Sequence, residues 1–523
     1  MKRGLIVFTA ALAIVILLSP WSGPGTPPAA SPTAATPKVV KPETGGIWKI
    51  LVSRSPVRFG YPPTIVGADR DYSPPFFNFL LSIGDDGKYK PELALSWDTS
   101  ADGKAITFKL RQGVTFHDGT PFNAQAVKSN LDKLIPPNPA ILAGVTSVDV
   151  VDNYTVKVNL TDYNNLILYQ FASNYACCMY SPTTLQKNGA DWAATHPVGT
   201  GPFMLKAFQP NTSMSLVKNP NYWEKGLPYL DGIDILTVPD PMTQMMMFKS
   251  GQAHAIYDVK ISTASQLRKE GYPLETALGA FLSLSFDARN SEYFSKPQVR
   301  QAIEYAIDKE AIADGPGEGA YTPVYQIVSS ASPDYNPTCP PRKYDPEKAK
   351  KLLAEAGYPK GFSFKAYLLD TMWPDGCVAI QSYLDKVGIK MEINYVNAAA
   401  YNTIRAGGKI EKGAAASANM PTYANNLFMM DAYFRSGAPF FQYMVRPDGV
   451  DSLIDKAKST RDLAAVTKMN QQISKLFYDD ATLVPWFHSS RIVVVDKSVQ
   501  DTGWFIAGDS NNNKFGTRTW LRK

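Results

Sequence analysis

Apolar and polar positions alternate with a period of two in the first part of the chain. Ile106, Phe108 and Leu110 interleave with Thr107, Lys109 and Arg111, the pattern of a strand buried on one face, and Asp102-Gly103 ahead of them marks a turn. Residues 148–151 and 154–160 flank Asp152-Asn153, which predicts a hairpin and a strand-rich region up to about residue 160. Further on, the period lengthens to that of a helix. Ser295-Lys296-Pro297-Gln298 has the spacing of a capping box and leads into Val299, Ala302, Ile303, Ala306 and Ile307. Asp345-Pro346 opens a second helix with Ala349, Leu352, Leu353 and Ala356 on one face, and Gly357 stops it. A third, over residues 463–478, aligns Val466, Met469, Ile473 and Phe477. Strands expected at 362–368 and 389–396 lie between these helical patterns, as in α/β proteins.

The N-terminus departs from this pattern. Met1-Lys2-Arg3 is followed by an apolar run of 14 residues, 5–18, broken only by Thr9. Charge first and apolar stretch second is the layout of a secretory signal. The run is shorter than the roughly 20 apolar residues a membrane span needs, although Ser19, Pro20 and Trp21 extend it to a marginal one. Residues 22–44 are nearly all Pro, Ala, Thr, Ser and Gly, a composition that buries little and reads as a tether. From residue 46 the composition is that of a globular protein, and about 480 residues exceed one core, so two or three domains are expected. The net charge of +6, from 53 basic and 47 acidic residues, is spread along the chain and forms no block that would mark a nucleic-acid surface.

Chemistry-bearing residues are sparse. Among the four cysteines, Cys177-Cys178 are adjacent, which strains a bond between them, while Cys339 and Cys377 could pair in an oxidising compartment. No Cys-x-x-Cys spacing suggests zinc. The four histidines, His117, His196, His254 and His488, show no ligand spacing, and neither a nucleophile elbow nor a phosphate-binding loop occurs. Gly315-Pro316-Gly317-Glu318-Gly319 follows a helix instead of a strand and reads as a helix exit. Asp85-Asp86-Gly87 reads as a turn, Asp479-Asp480 as a helix end, and Met245-Met246-Met247 with Phe248 as a buried helix face.

Six segments together resemble the solute-binding proteins of peptide/nickel-type ABC importers, the family 5 solute-binding proteins. Pro91-Glu92-Leu93-Ala94-Leu95-Ser96-Trp97 is similar to an early family segment, and residues 107–122, from Thr107 to Phe122, to its most characteristic one. Pro197-Val198-Gly199-Thr200-Gly201-Pro202-Phe203 matches a glycine turn, followed by Asn219-Pro220-Asn221-Tyr222-Trp223, Val299-Arg300-Gln301-Ala302-Ile303 and Tyr344-Asp345-Pro346-Glu347-Lys348-Ala349. They come in family order and span nearly all of the chain from residue 46. Read from the residues, 111–122 combines a strand, a glycine turn and a second short strand, with His117 structural. Gly199 and Gly201 mark a tight turn or a close backbone approach.

The resemblance implies an α/β, two-lobed periplasmic-binding-protein-like fold with an additional inserted domain. After a signal or anchor (1–21) and tether (22–45), lobe I would comprise 46–82, 199–283 and 491–523, the inserted domain 83–198 and lobe II 284–490. It further implies no catalysis, no cofactor and no metal, a monomer outside the cytoplasm, and a small solute or peptide held in the cleft as the lobes close. The partners would be the ligand and the permease subunits of an importer, with no nucleic acid. Relatives often carry a cysteine just after the apolar run for lipid attachment. Residues 17–21 have none and the first cysteine is Cys177, so the expectation is an uncleaved N-terminal helix with its tether, or a cleaved and free protein, with Pro28-Ala29-Ala30 the candidate cleavage site.

Peptide binders of this family hold the ligand's α-amine with an Asp in a segment of the second lobe. The matching residues, Asn419-Met420-Pro421-Thr422-Tyr423-Ala424-Asn425-Asn426-Leu427-Phe428, contain no acid. Phe77-Asn78-Phe79-Leu80 stands where the family has another acidic residue. A buried ammonium needs a paired charge, so a free α-amine is not expected to be held in the usual way. Tyr423, Asn425 and Asn78 are the candidate cleft residues, with Tyr72 a further one, whereas Trp486 reads as core. Two other classes stay open: a secreted hydrolase with dispersed carboxylates, and a ligand sensor on the same fold.

Overall fold

The period of two in the first part of the chain is realised as a four-stranded antiparallel sheet in the order Ala94–Thr99, Ala105–Leu110, Thr155–Leu160, Val145–Asp152. The structure, a computed structural model, describes residues 41–523 except 66, 85–86, 136–140, 371, 408–409, 412, 422–424 and 506–513. The N-terminal signal and most of the tether therefore lie outside the described residues, among which no helix is long and apolar enough to cross a membrane. In the four-stranded sheet Ile106, Phe108 and Leu110 face inward as their alternation requires, packing with Val148, Val156, Val158 and the helix Ala124–Leu134. Asn123 caps that helix by accepting a hydrogen bond from the Ala126 N–H at 3.0 Å.

The larger sheet has 11 strands. At one end Ile47–Val52 pairs in parallel with Gly232–Thr237 and Ala255–Tyr257. At the other end Phe362–Leu369 pairs in parallel with Ile389–Val396 and Ala415–Pro421. Two antiparallel strands of 13 residues each, Leu274–Phe286 and Leu483–Val495, lie between and join the two ends. The first half of Leu274–Phe286 pairs only with Leu483–Val495, beside Ala255–Tyr257, whereas its second half also pairs with Ala415–Pro421. Their register shifts between Leu278 and Phe281, around Gly279, where a Cβ would come within 2.6 Å of Ser489 Oγ. Residues 281–286 and 483–488 of the two strands are buried on both faces, Ser283, Ser285 and His488 included; Trp486, at 1% exposure, is core as its sequence context suggests.

The helices follow the sequence closely but differ at their ends. Pro346–Glu355 is capped by Asp345, which accepts from the Lys348 N–H at 2.9 Å, and Gly357 beyond it has φ +90°. Leu463–Asp480 ends at Asp479-Asp480 as expected, and the buried Arg300 side chain donates to the Asp480 and Ala481 carbonyls there. The Ser295 capping box does not form. Pro297–Tyr305 starts one residue later, on Lys296, with proline at its first position, and the Ser295 hydroxyl donates to the Glu292 carbonyl at 3.2 Å. No regular second strand follows Gly113; a single bridge between Thr115 and Pro121 closes that turn. In the helix Pro241–Lys249 Met245 and Phe248 are buried, but Met246 is 67% exposed, since three consecutive helical residues cannot share one face. Cys339 and Cys377 are both free and buried. Cys377 packs in the apolar core around Ile380 and Leu384, and burial pushes its thiol up to about 12. Gly315 ends the short helix Lys309–Asp314, the helix exit expected of that glycine-rich stretch.

Candidate functional site

Gly199 and Gly201 position the site. Neither requires a left-handed backbone; each lies against the chain at Pro75–Phe77, where a Cβ would fall 2.1 Å from Phe76 O at Gly199 and 2.4 Å from Pro75 O at Gly201. The segment between them therefore lies flush on the Pro75–Phe77 turn, and Gly201 N–H donates to Phe76 O at 2.9 Å. The same approach carries His117, whose Nε2 lies 3.0 Å from Gly201 O. Burial pulls the His117 imidazole down to about 4, so it is neutral and structural. Thr200, held in this clamp, donates from its hydroxyl to Asn78 Oδ1 at 3.0 Å.

Asn78 is the centre of a buried polar network. Its Oδ1 also accepts from Trp223 Nε1 at 3.1 Å, and its Nδ2 donates to Glu92 Oε1 at 2.8 Å. Arg111 stacks its guanidinium on the Trp223 ring, 4.3 Å from the centroid, and donates from Nε to the Glu92 carbonyl at 3.0 Å. Burial holds the Glu92 carboxyl above the usual carboxylate range, against the lowering effect of Lys514 and Asn78.

Asn78, Glu92 and Trp223 line a cavity of about 700 Å³. Phe79, Tyr175, Trp504 and Phe505 supply aromatic surface, and Lys90, Lys514 and Arg518 line the cavity together with Glu92, Glu224, Glu275 and Asp501. Arg518 is engaged by Glu224 at 2.9 Å. The Glu275 carboxyl accepts from the Thr502 hydroxyl, and burial raises it. A concave, partly aromatic site with convergent groups of both charges is suited to a small zwitterionic or polar organic molecule. Among the described residues no cluster of His, Cys, Asp or Glu could hold a metal ion.

Of the four residues expected to line the cleft, the structure describes Asn78, Tyr72 and Asn425. Asn78 is on the cavity wall with its amide fully engaged. Tyr72 is 5% exposed in the core beneath, its hydroxyl donating to the Arg54 carbonyl. Asn425 lies elsewhere: its Oδ1 accepts from the Phe428 N–H at 3.1 Å as the cap of Asn426–Met429, and its side chain hydrogen-bonds Tyr89. Tyr423 lies outside the described residues. Sequence reasoning did not single out Glu92, Lys514 or Arg518. Glu92 lies in the Pro91–Trp97 segment, but nothing in the sequence brings it to Lys514, which only the fold places 3.6 Å away.

The profile of bacterial extracellular solute-binding proteins, family 5, matches residues 88–440. This chain belongs to that family. Among family 5 relatives, the glutathione-binding protein GsiB of Salmonella typhi is 33% identical over 338 residues, covering 62% of this chain and 64% of that protein, slightly under two thirds of its length. GsiB of Salmonella paratyphi A is 31% identical over 459 residues, covering 83% of this chain and 87% of that one. The ABC transporter-associated periplasmic binding protein DppA from Helicobacter pylori, solved with the peptide STSA, superposes with a TM-score of 0.77 at 24% identity, over 92% of this chain and 99% of that one. This likeness gives the family 5 fold, a two-lobed α/β architecture, and the 13-residue strands Leu274–Phe286 and Leu483–Val495 are the connections between its two ends.

Proposed function

We propose that this protein is a non-catalytic, exported receptor that captures a small peptide-like solute between its lobes and delivers it to an ABC importer. The observation that carries the reading is the match of the chain to family 5 over residues 88–440; the cavity of about 700 Å³ is lined, among the described residues, by segments of lobe I and the inserted domain. Lobe I is taken as 46–82, 199–283 and 491–523, the inserted domain as 83–198 and lobe II as 284–490. Residues 1–21 direct the chain out of the cytoplasm, and 22–45 act as tether. Glutathione, a tripeptide bearing one ammonium and two carboxylates, is the first solute to test, since the relatives above are named for binding it. The stretch 419–428 has no acid to hold an amine, so the usual amine clamp does not operate here.

Binding to the folded state alone stabilises by about 2.7 kcal/mol at a hundredfold excess over Kd. Purified protein should therefore melt a few degrees higher with millimolar glutathione or a related small peptide, with the solute recovered unchanged. Calorimetry showing no binding across small peptides, opines and metal chelates, or a product formed from the solute, would overturn the reading.

A further inference from the structure

A second cavity, of about 410 Å³, lies between residues 141–174 of the inserted domain and residues 428–458 of lobe II. Leu166, Ile167 and Gln170 line it from one side of the helix Leu166–Ser173, and Phe428 and Ala432, four residues apart, line it from lobe II. Leu166 belongs to the same apolar cluster as Leu427, Met430 and Phe434, and Phe428 packs against that cluster and the one around Ile167. Gln170 is 5% exposed, and its neighbour fixes the orientation of its amide. Asn174 Oδ1 accepts from the Ala176 N–H at 3.1 Å, so Asn174 Nδ2 is the end that donates to Gln170 Oε1 at 2.7 Å. Gln170 Nε2 is left over. It makes no hydrogen bond among the described residues, yet it is not among the atoms closed off from solvent, and the cavity that Gln170 lines is the space it reaches. A carboxamide N–H facing apolar walls is the arrangement of a ligand pocket, in which one polar group orients what the walls hold.

We infer that this cavity takes an apolar side chain of a peptide-like solute, with a carbonyl oxygen of the solute accepting from Gln170 Nε2. This deepens the function proposed above and rests on it. A peptide offers both features within a few bonds: a carbonyl to accept, and a side chain to pack on Leu166, Ile167, Phe428 and Phe440. Asp431, the carboxylate that lines the cavity among the described residues, is already paired: it accepts from Lys458 at 3.1 and 2.9 Å and from Arg435 at 3.2 Å. An ammonium therefore finds no free acid here, in keeping with the absence of one from 419–428. Asn174 acts as a positioning residue that turns the Gln170 donors toward the cavity. Because the walls come from the inserted domain and from lobe II, a solute seated between them favours the arrangement in which the two meet.

Calorimetry with leucyl-leucine, glycyl-glycine and glutathione tests this. Burial of a leucine side chain should make leucyl-leucine bind about ten- to hundredfold tighter than glycyl-glycine. Gln170→Met keeps the length of the side chain and removes the donor, and should weaken leucyl-leucine about two- to tenfold. Ala432→Phe fills the cavity and should weaken it further. Hydrogen exchange of the wild-type protein depends on no variant: saturating leucyl-leucine should protect both 164–174 and 428–440. Equal affinity for the two dipeptides, unchanged leucyl-leucine affinity in the folded variants, or protection confined to other segments overturns the inference and leaves the receptor reading standing. Binding of glutathione but of neither dipeptide does the same. If no small peptide, opine or chelate binds, the receptor reading itself fails and the inference falls with it.

Discussion

His488 is 3% exposed beside Phe281, and neither ring nitrogen has a hydrogen-bond partner among the described residues. Burial alone pulls its imidazole down to about 4. The unfolded chain takes up this proton near pH 6.5 and the folded one only near 4. Stability from this group is thus complete above about pH 6.5 and is lost as pH falls toward 4, by about 3 kcal/mol in total. The buried carboxyls Glu92 and Asp334 and the half-buried Glu275, all held above their usual range, act in the opposite sense. The prediction is therefore a difference: urea unfolding between pH 7 and 4.5 should show a shallower loss of stability in His488→Leu than in wild type. Parallel profiles would mean that His488 does not titrate as its burial demands. None of this was visible in the sequence, where His488 was one of four unspaced histidines. Asn78 was named from the sequence, yet its partners Glu92, Thr200 and Trp223 come from three separate segments.

The glycine turn is where a single element carries the arrangement of the site. Gly199→Ala would drive a Cβ to 2.1 Å from Phe76 O, a backbone atom that cannot move without displacing the Pro75–Phe77 turn. Overpacking of this kind costs about 3 kcal/mol. Thermal unfolding of Gly199→Ala should show such a loss together with weakened solute binding, because Thr200 and Asn78 would shift; a variant with wild-type melting would disprove the close approach. Here the sequence anticipated the reason for glycine but not the surface that requires it. Strands 389–396 and the Asp345-capped helix were read almost to the residue, since period and cap are local signals. The Ser295 capping box failed because Pro297 supplies a competing first position one residue on. The 13-residue strands Leu274–Phe286 and Leu483–Val495 were not read as elements, because Ser283, Ser285 and His488, which the fold buries, interrupt their apolar runs.

At the scale of the whole molecule, contacts far apart in sequence join the part around residues 100–170 to the part around 425–461. Arg461 Nη2 donates to the Ser100 and Ala101 carbonyls at 2.8 and 3.1 Å. Asn165 Nδ2 donates to the Ala457 and Thr460 carbonyls at 2.7 and 3.2 Å, capping the end of Val450–Ser459. The Tyr169 and Phe428 rings lie 5.2 Å apart. The Arg461 bonds are at the surface, whereas Asn165 and Tyr169 are buried. The double variant Asn165→Ala/Arg461→Ala should open the ligand-free protein, seen as a larger radius of gyration in small-angle scattering, with a loss of about 1–3 kcal/mol from the buried carbonyls that Asn165 leaves unpaired. An unchanged radius would show that these contacts do not hold the two parts together.

The sequence alone determined the family, the α/β class, the local helices and strands, and the absence of an acid from residues 419–428. These follow from periodicity, capping and motif order, which act over a few residues or are carried in the order of segments. The tertiary structure alone decided that Glu92, Asn78, Trp223 and Lys514 line one cavity, with Thr200 bonded to Asn78 behind it. It also decided that Tyr72 is core and that the second oxygen of Glu92 is left without a donor. Burial and hydrogen-bond satisfaction depend on every segment that packs around a group, and no local pattern in the chain records them.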